Sequence, residues 1–173
     1  MSVREIIIHP DPRLREKTSA VDAFTPELEK LIADMIETMY QAQGIGLAAP
    51  QIGEQKRLFV LDVSENHDQP QVYINPEIVA KAGEVQSEEG CLSIPGVTET
   101  VPRAETITVR ALDQQGAAFE QQLTGLHAIC VQHELDHLDG KLFIDYLSPL
   151  KQKRIRKKLL KQERLATQNA EQA

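Results

Sequence analysis

No apolar stretch in this chain of 173 residues approaches the ~20 residues that a membrane-spanning helix needs. The first residues, "MSVREIIIHPD", hold only the three-residue apolar run Ile6 to Ile8, too short for a secretory signal. The expectation is a soluble, unexported, cytoplasmic protein. Cysteine is scarce, with Cys91 and Cys130 alone. A disulfide-stapled scaffold is therefore excluded, and in a reducing compartment each thiol serves as a small apolar group, a metal ligand or a nucleophile. Internal repeats and linkers are also missing. So is the regular alternation of strand and helix that a doubly wound sheet requires.

What remains is ordinary globular material, 41% hydrophobic and 26% charged. That is enough for one core and one domain. The net charge of −7 is unevenly spread. From Pro149 onward there are eight Lys or Arg against two Glu, so a basic tail follows an acidic body. Such a tail reads either as a solvated helix face or as a contact for nucleic acid or another anionic surface.

Hydrophobic periodicity predicts the main elements. Leu28, Leu31, Ile32, Met35, Ile36 and Met39 form a continuous helical stripe over 26–41, with Thr25 as cap and Pro26 as first residue. A short helix is expected over 11–17. Strands are expected over 57–63 and 71–75, joined as a hairpin by "SENHDQP", and over 105–111 and 117–123 around the turn "DQQG". The period becomes helical from Gly125 to Gly140. A last helix over 149–166 turns Ile155 and Leu159 inward, and "TQNAEQA" is expected to fray. Strands thus cluster between helices, which predicts an α+β fold.

The chemistry concentrates in "AICVQHELDHLDG", residues 128–140. His133 and His137 lie four apart, on one helical face and within reach of one ion, with Glu134 placed beside them. Leu126, Ile129 and Cys130 share that face with His133, so the histidines emerge from apolar surroundings. An unpartnered buried polar group costs about 1–3 kcal/mol, which makes an occupied metal site the better account of the pair. A catalytic metal needs a third protein ligand. His9, His67 and His127 are poorly placed, His127 being about 120° around the helix from His133. Cys91, in "EEGCLSIP", and Cys130 both remain open from spacing alone. No His follows His137, and the later Glu163 and Glu171 lie in the basic tail. An ordinary H-E-x-x-H metallopeptidase is therefore poorly supported.

Three segments, "GIGLAAPQ" (44–51), "EGCLS" (89–93) and "QHELDH" (132–137), resemble the three signature motifs of peptide deformylase, in the same order. The likeness runs the length of the chain and is greatest to the bacterial type 1 enzymes. It implies an α+β fold of antiparallel strands around the H-E-x-x-H helix, in a single catalytic domain over 1–166. It implies removal of formate from the N-formylmethionine of nascent polypeptides. Cys91, His133 and His137 would hold one divalent metal, Fe(II) in many bacterial members, with nickel, cobalt or zinc as substitutes. Glu134 would be general base and acid, and Gln51 and the Leu92 N–H would stabilise the oxyanion. Gly46 would present backbone to the substrate. Ile45, Leu126, Ile129 and Cys130 would line the methionine pocket, with Glu89 at the substrate site. Glu89 and Asp136 are also placed to orient a ligand or to pair with Arg103.

One departure stands out. Many bacterial relatives carry a basic residue soon after "CLSIP", and here none precedes Arg103. The basic helix over 149–166 corresponds to the one that docks relatives on the ribosome. A monomer is expected. The competing expectations are a metallopeptidase built on the same helix, and a ribosome-associated metal-binding module without catalysis. Intact Glu134 and Gln51 argue against the latter.

Overall fold

The computed structural model describes residues 2–172. Helix α1 (Pro26–Gln41) starts where expected, and the Thr25 hydroxyl accepts from the Leu28 N–H at 3.3 Å. Strands β1 (Gly46–Ala48), β2 (Leu58–Leu61), β3 (Gln71–Ala82), β6 (Thr106–Leu112) and β7 (Ala118–Thr124) form one antiparallel sheet in the order β1-β2-β3-β6-β7. Strands β4 (Val85–Cys91) and β5 (Ile94–Arg103) make a separate two-stranded hairpin. Helix α2 (Gly125–Leu138) carries the two histidines, and α3 (Pro149–Gln172) closes the chain. The fold is α+β.

The four residues of β2, "LFVL", are buried on both faces because both faces are covered. Leu58 and Val60 join Leu28, Leu31, Ile32, Met35 and Met39 of α1. Phe59 and Leu61 join Tyr73, Val109, Ala128, Cys130 and Val131 on the α2 side. Thus α2 lies on one face of the sheet and α1 on the other. A third cluster joins Ile94, Val97 and Val101 of β5 to Leu142–Ile144 and to Ile155 and Leu159 of α3. The inward pair expected on the last helix is therefore buried.

Several boundaries differ from the sequence expectation. The short helix over 11–17 is a single 3₁₀ turn, Pro12–Arg15, capped by Asp11. Strand β3 runs on past Asn75 to Ala82, with register shifts against β6. Helix α2 stops at Leu138, and Gly140 turns back with φ +76°. A side chain at 140 would collide with the Arg15 carbonyl. Helix α3 continues through 167–172, where fraying was expected. The β4–β5 hairpin has no counterpart in the periodicity, because its inward positions include Ser87, Glu89 and Arg103.

Candidate active site

The H-E-x-x-H helix is buried at its chemical end. Glu134 is 5% exposed and His137 1% exposed. Cys91 comes from a different body, the end of β4, where a bulge between Glu89 and Cys91 interrupts the ladder with β5. The two bodies meet at the site, and the Cys91 Sγ lies 3.4 Å from His137 Nε2. One ligand atom each from Cys91, His133 and His137 falls within 4.8 Å of the others. Of the two thiols that spacing left open, Cys91 is the one in this cluster. Cys130 is walled in on α2, and burial pushes its thiol up to about 12, as befits an apolar lining group.

The set fits a divalent metal. Two imidazoles and a thiolate are three ligands of the borderline-soft kind that zinc and Fe(II) both accept, and three is the number that leaves a catalytic position open. The His133 Nδ1 lies 2.9 Å from Glu89 Oε1, which leaves Nε2 free to ligate. The ring of His133 stacks near Phe143, with centroids 6.0 Å apart.

Around the cluster lies a cavity of about 530 Å³. Ile45, Gly46, Gln51, Glu89, Cys91, Leu92, Leu126, Ile129, Cys130, His133 and Glu134 all line it, as do Pro95, Val97 and Thr98 of β5. The residues singled out for the methionine pocket are thus brought together, with Leu126 at the rim and 54% exposed. No Lys or Arg is among the described lining residues. Arg103, the first base after "CLSIP", faces the other way and is fully engaged elsewhere.

Glu134 sits against the backbone of β1. A Cβ on Gly46 would lie 2.6 Å from Glu134 Oε1, so only glycine lets the carboxylate occupy this position. Its Oε2 is buried without a hydrogen-bond partner. Burial pushes the Glu134 carboxyl up to about 7. A carboxyl titrating there can both take and return a proton near neutrality.

Gln51 is 1% exposed and its amide is oriented from both ends. The Ala48 N–H donates to its Oε1 at 2.9 Å, and its Nε2 donates to Ser93 Oγ at 3.0 Å and toward Cys91 Sγ at 3.6 Å. One amide N–H is therefore aimed at the ligand cluster. Leu92 lies at the hairpin turn beside Cys91, and Gly44 packs so closely on its side chain that a Cβ there would come within 2.7 Å.

Glu89, expected at the substrate site, lines the cavity, and its side chain makes the pairing with Arg103 that was also expected. Both carboxylate oxygens are occupied, by Arg103 at 2.8 and 2.7 Å and by His133 at 2.9 Å. Burial opposes its charge, but the bonds from Arg103 and His133 prevail and hold it down at about 2. The sequence reading assigned no part to Ser93 or Tyr146. Ser93 holds the Gln51 amide, and Tyr146 donates to Asp136. The position of Ser93 two residues after Cys91 was the one available hint.

The polypeptide deformylase family profile matches residues 3–153. The chain belongs to the peptide deformylase family. It is 56% identical over 161 residues to the peptide deformylase of Tolumonas auensis, covering 93% of this chain and 96% of that one. The peptide deformylase 2 of Xanthomonas campestris pv. campestris is also 56% identical, over 164 residues, with the same coverage. The crystal structure of a peptide deformylase from Legionella pneumophila superposes with a TM-score of 0.92 at 51% identity, covering 96% of this chain and 98% of that chain. The Ehrlichia chaffeensis peptide deformylase in complex with actinonin gives 0.91 at 40% identity, covering 95% and 99%. Deformylases are hydrolases of N-formyl groups in protein biosynthesis, and this chain is such an enzyme.

Proposed function

We propose that this chain removes formate from the N-formylmethionine of newly made polypeptides in the cytoplasm, with one divalent metal held by Cys91, His133 and His137. The observation that carries the reading is the convergence of three ligand atoms within 4.8 Å of one another, beside a cavity also lined by a buried Glu134 whose Oε2 has no partner. Bound there, a metal supplies a water with its pKa brought from 15.7 toward about 7 and polarises the formyl oxygen. Every other part of the reaction falls to side chains and backbone of this chain.

Glu134 Oε2 takes the proton of the attacking water and returns it to the leaving amine, so the carboxyl ends as it began. The Gln51 amide N–H now aimed at Cys91 turns to the developing oxyanion, joined by the Leu92 N–H. Ile45, Leu126, Ile129 and Cys130 receive the methionine side chain, which is unbranched and apolar. A formyl group carries only hydrogen on the far side of its reacting carbon, so a narrow metal site excludes larger acyl groups. Fe(II) is the proposed native metal, with Ni(II), Co(II) or Zn(II) as substitutes.

The helix α3 presents Lys153, Arg154, Arg156 and Lys157 to solvent, along with Lys151 and Lys158. A row of this kind suits ribosomal RNA phosphate near the point where the nascent chain emerges. Monomeric protein satisfies all of these requirements.

The deciding assay uses protein prepared without oxygen, loaded with iron or nickel, and formyl-Met-Ala-Ser as substrate. Formate release is expected, and Glu134→Ala is expected to lower it by about 10²–10⁴-fold while metal content stays unchanged. Cleavage at internal peptide bonds, or no turnover by fully loaded protein, overturns the reading.

A further inference from the structure

Behind the ligand histidine stands a charged assembly that the reaction itself does not use. Arg103, at the end of β5, has a side chain only 3% exposed. Its Nε and Nη2 donate to the two oxygens of Glu89 at 2.8 and 2.7 Å, a bidentate pairing. Its Nη1 donates to Asp136 Oδ2 at 2.7 Å. The Tyr146 hydroxyl donates to the same Asp136 oxygen at 2.9 Å, and the guanidinium lies 5.1 Å from the centre of the Tyr146 ring. Glu89 then reaches His133 Nδ1 at 2.9 Å. A single guanidinium thus ties β4, β5, α2 and the turn Phe143–Tyr146 together directly behind one proposed ligand.

This is an unusual use of a buried charge. Replacing a buried ion pair by apolar residues is often neutral or stabilising, so stability alone is weak grounds for keeping one. The geometry gives a different ground. Glu89 stands two residues before Cys91 on β4, and it bonds His133 on α2. Its carboxylate therefore sets the distance between the strand that presents the thiolate and the helix that presents the imidazoles. A carboxylate with a free rotor could not do this. The planar fork of Arg103 fixes the plane of the Glu89 carboxylate, and that plane fixes the ring of His133.

We infer that Arg103 is a positioning residue for the metal site, acting through Glu89 to hold His133 as the Nδ1–H tautomer, with Nε2 at the spacing set by Cys91. The inference rests on the metal assignment made above. It gives Arg103 a role other than substrate contact, consistent with its absence from the cavity lining. Lysine is not equivalent here, because a point charge neutralises Glu89 without fixing its plane. Removing such an outer partner of a ligating histidine typically costs about 10–100-fold in metal affinity.

The test measures affinity of the folded protein for Co(II) and Zn(II) by competition with a chromophoric chelator, together with the visible spectrum of the Co(II) form. Arg103→Lys, Arg103→Ala and Glu89→Gln are compared with the unaltered protein. Weaker binding by about 10–100-fold in Arg103→Ala and Glu89→Gln is expected, with Arg103→Lys also weakened and its Co(II) bands shifted. The double variant R103K/E89Q is expected to lose little more than E89Q alone, since both act through one bond to His133. A merely structural Arg103 would lower the melting temperature of metal-free protein and leave affinity and spectrum unchanged. That outcome overturns the inference. If Arg103→Ala does not fold, Arg103→Lys with unaltered affinity and spectrum overturns it equally. Loss of formate release in unaltered, fully loaded protein would instead strike the deformylase mechanism, and the affinity measurements stand apart from it.

Discussion

At position 46 a methyl group has nowhere to go. The Glu134 carboxylate occupies the space, and the strand behind it is packed against α2. Gly46→Ala is therefore expected to displace the carboxylate and not to unfold the chain. A displacement on the order of 1 Å is enough to lower kcat by about 10²-fold. Formate-release kinetics beside a thermal melt check this, and unaltered kcat would refute it. Gln51→Ala removes a donor near the developing oxyanion, with an expected loss of about 10²–10³-fold in kcat. The same change strands the Ala48 N–H, so stability should also fall by about 1–3 kcal/mol. At this scale the sequence was most legible where residue type alone dictates chemistry. His133, Glu134 and His137 announce themselves by spacing. The choice between Cys91 and Cys130 was closed to spacing, because distance along the chain does not say which thiol folds beside the histidines. Glu89 was half legible: a pairing with Arg103 or the orienting of a ligand was expected of it, and that it bonds Arg103 and His133 at once was not.

Among the elements, α1 could be read almost to the residue because its apolar stripe is continuous and Thr25 and Pro26 mark its start, although Asp34 and Thr38 are buried beside that stripe. Its Met35 and Met39 are fully buried against β2. Met35→Ala is expected to cost about 2–5 kcal/mol, measured as a lowered urea midpoint with an unchanged slope. The β4–β5 hairpin could not be read in the same way. Its inward positions are filled by Ser87, Glu89 and Arg103, which break apolar alternation. Pro95 and Pro102 break the expectation further, although both are tolerated in a sheet of two strands that are each an edge. The hairpin buries Ile94, Val97 and Val101 in the third cluster, and it also carries polar groups inward where it meets the site. The element most concerned with function was therefore the one least visible to periodicity.

Across the whole molecule, charge and pH act together. Asp62 joins α1 to the sheet, accepting from the Tyr40 hydroxyl at 2.5 Å and from the Ser64 and Gln69 N–H groups at 2.8 and 3.1 Å. Burial works against its charge, yet the bonds from Ser64, Tyr40 and Gln69 hold it down at about 2. An unfolded Asp titrates near 3.9. The folded form therefore gains stability from this group above about pH 4 and loses it as pH falls toward 2. Asp62→Asn is expected to lower stability at neutral pH and to flatten this acid limb in pH-dependent denaturation. The basic helix makes a separate prediction. Lys153, Arg154 and Lys157 are exposed and make no side-chain bond to the hairpin among the described contacts, so reversing all three to Glu should spare the fold. Ribosome co-sedimentation is expected to fall with that change and with added salt. Sedimentation indifferent to both would remove the ribosome from the proposal.

The cysteine and the histidines stand on two bodies, a two-stranded hairpin and a helix on the larger sheet, separated by 42 residues from Cys91 to His133. An ion held by all three would act as a cross-link as well as a reagent. In the chain-entropy treatment, closing a loop of that length is worth on the order of 4 kcal/mol. Chelation should then loosen the hairpin before the sheet. Hydrogen exchange at β4 and β5 is expected to speed up on metal removal, while β2 and β3 stay protected. If the site holds such an ion, its loss should loosen the catalytic end first, so inactivation and exposure of the Cys91 thiol are expected to advance together.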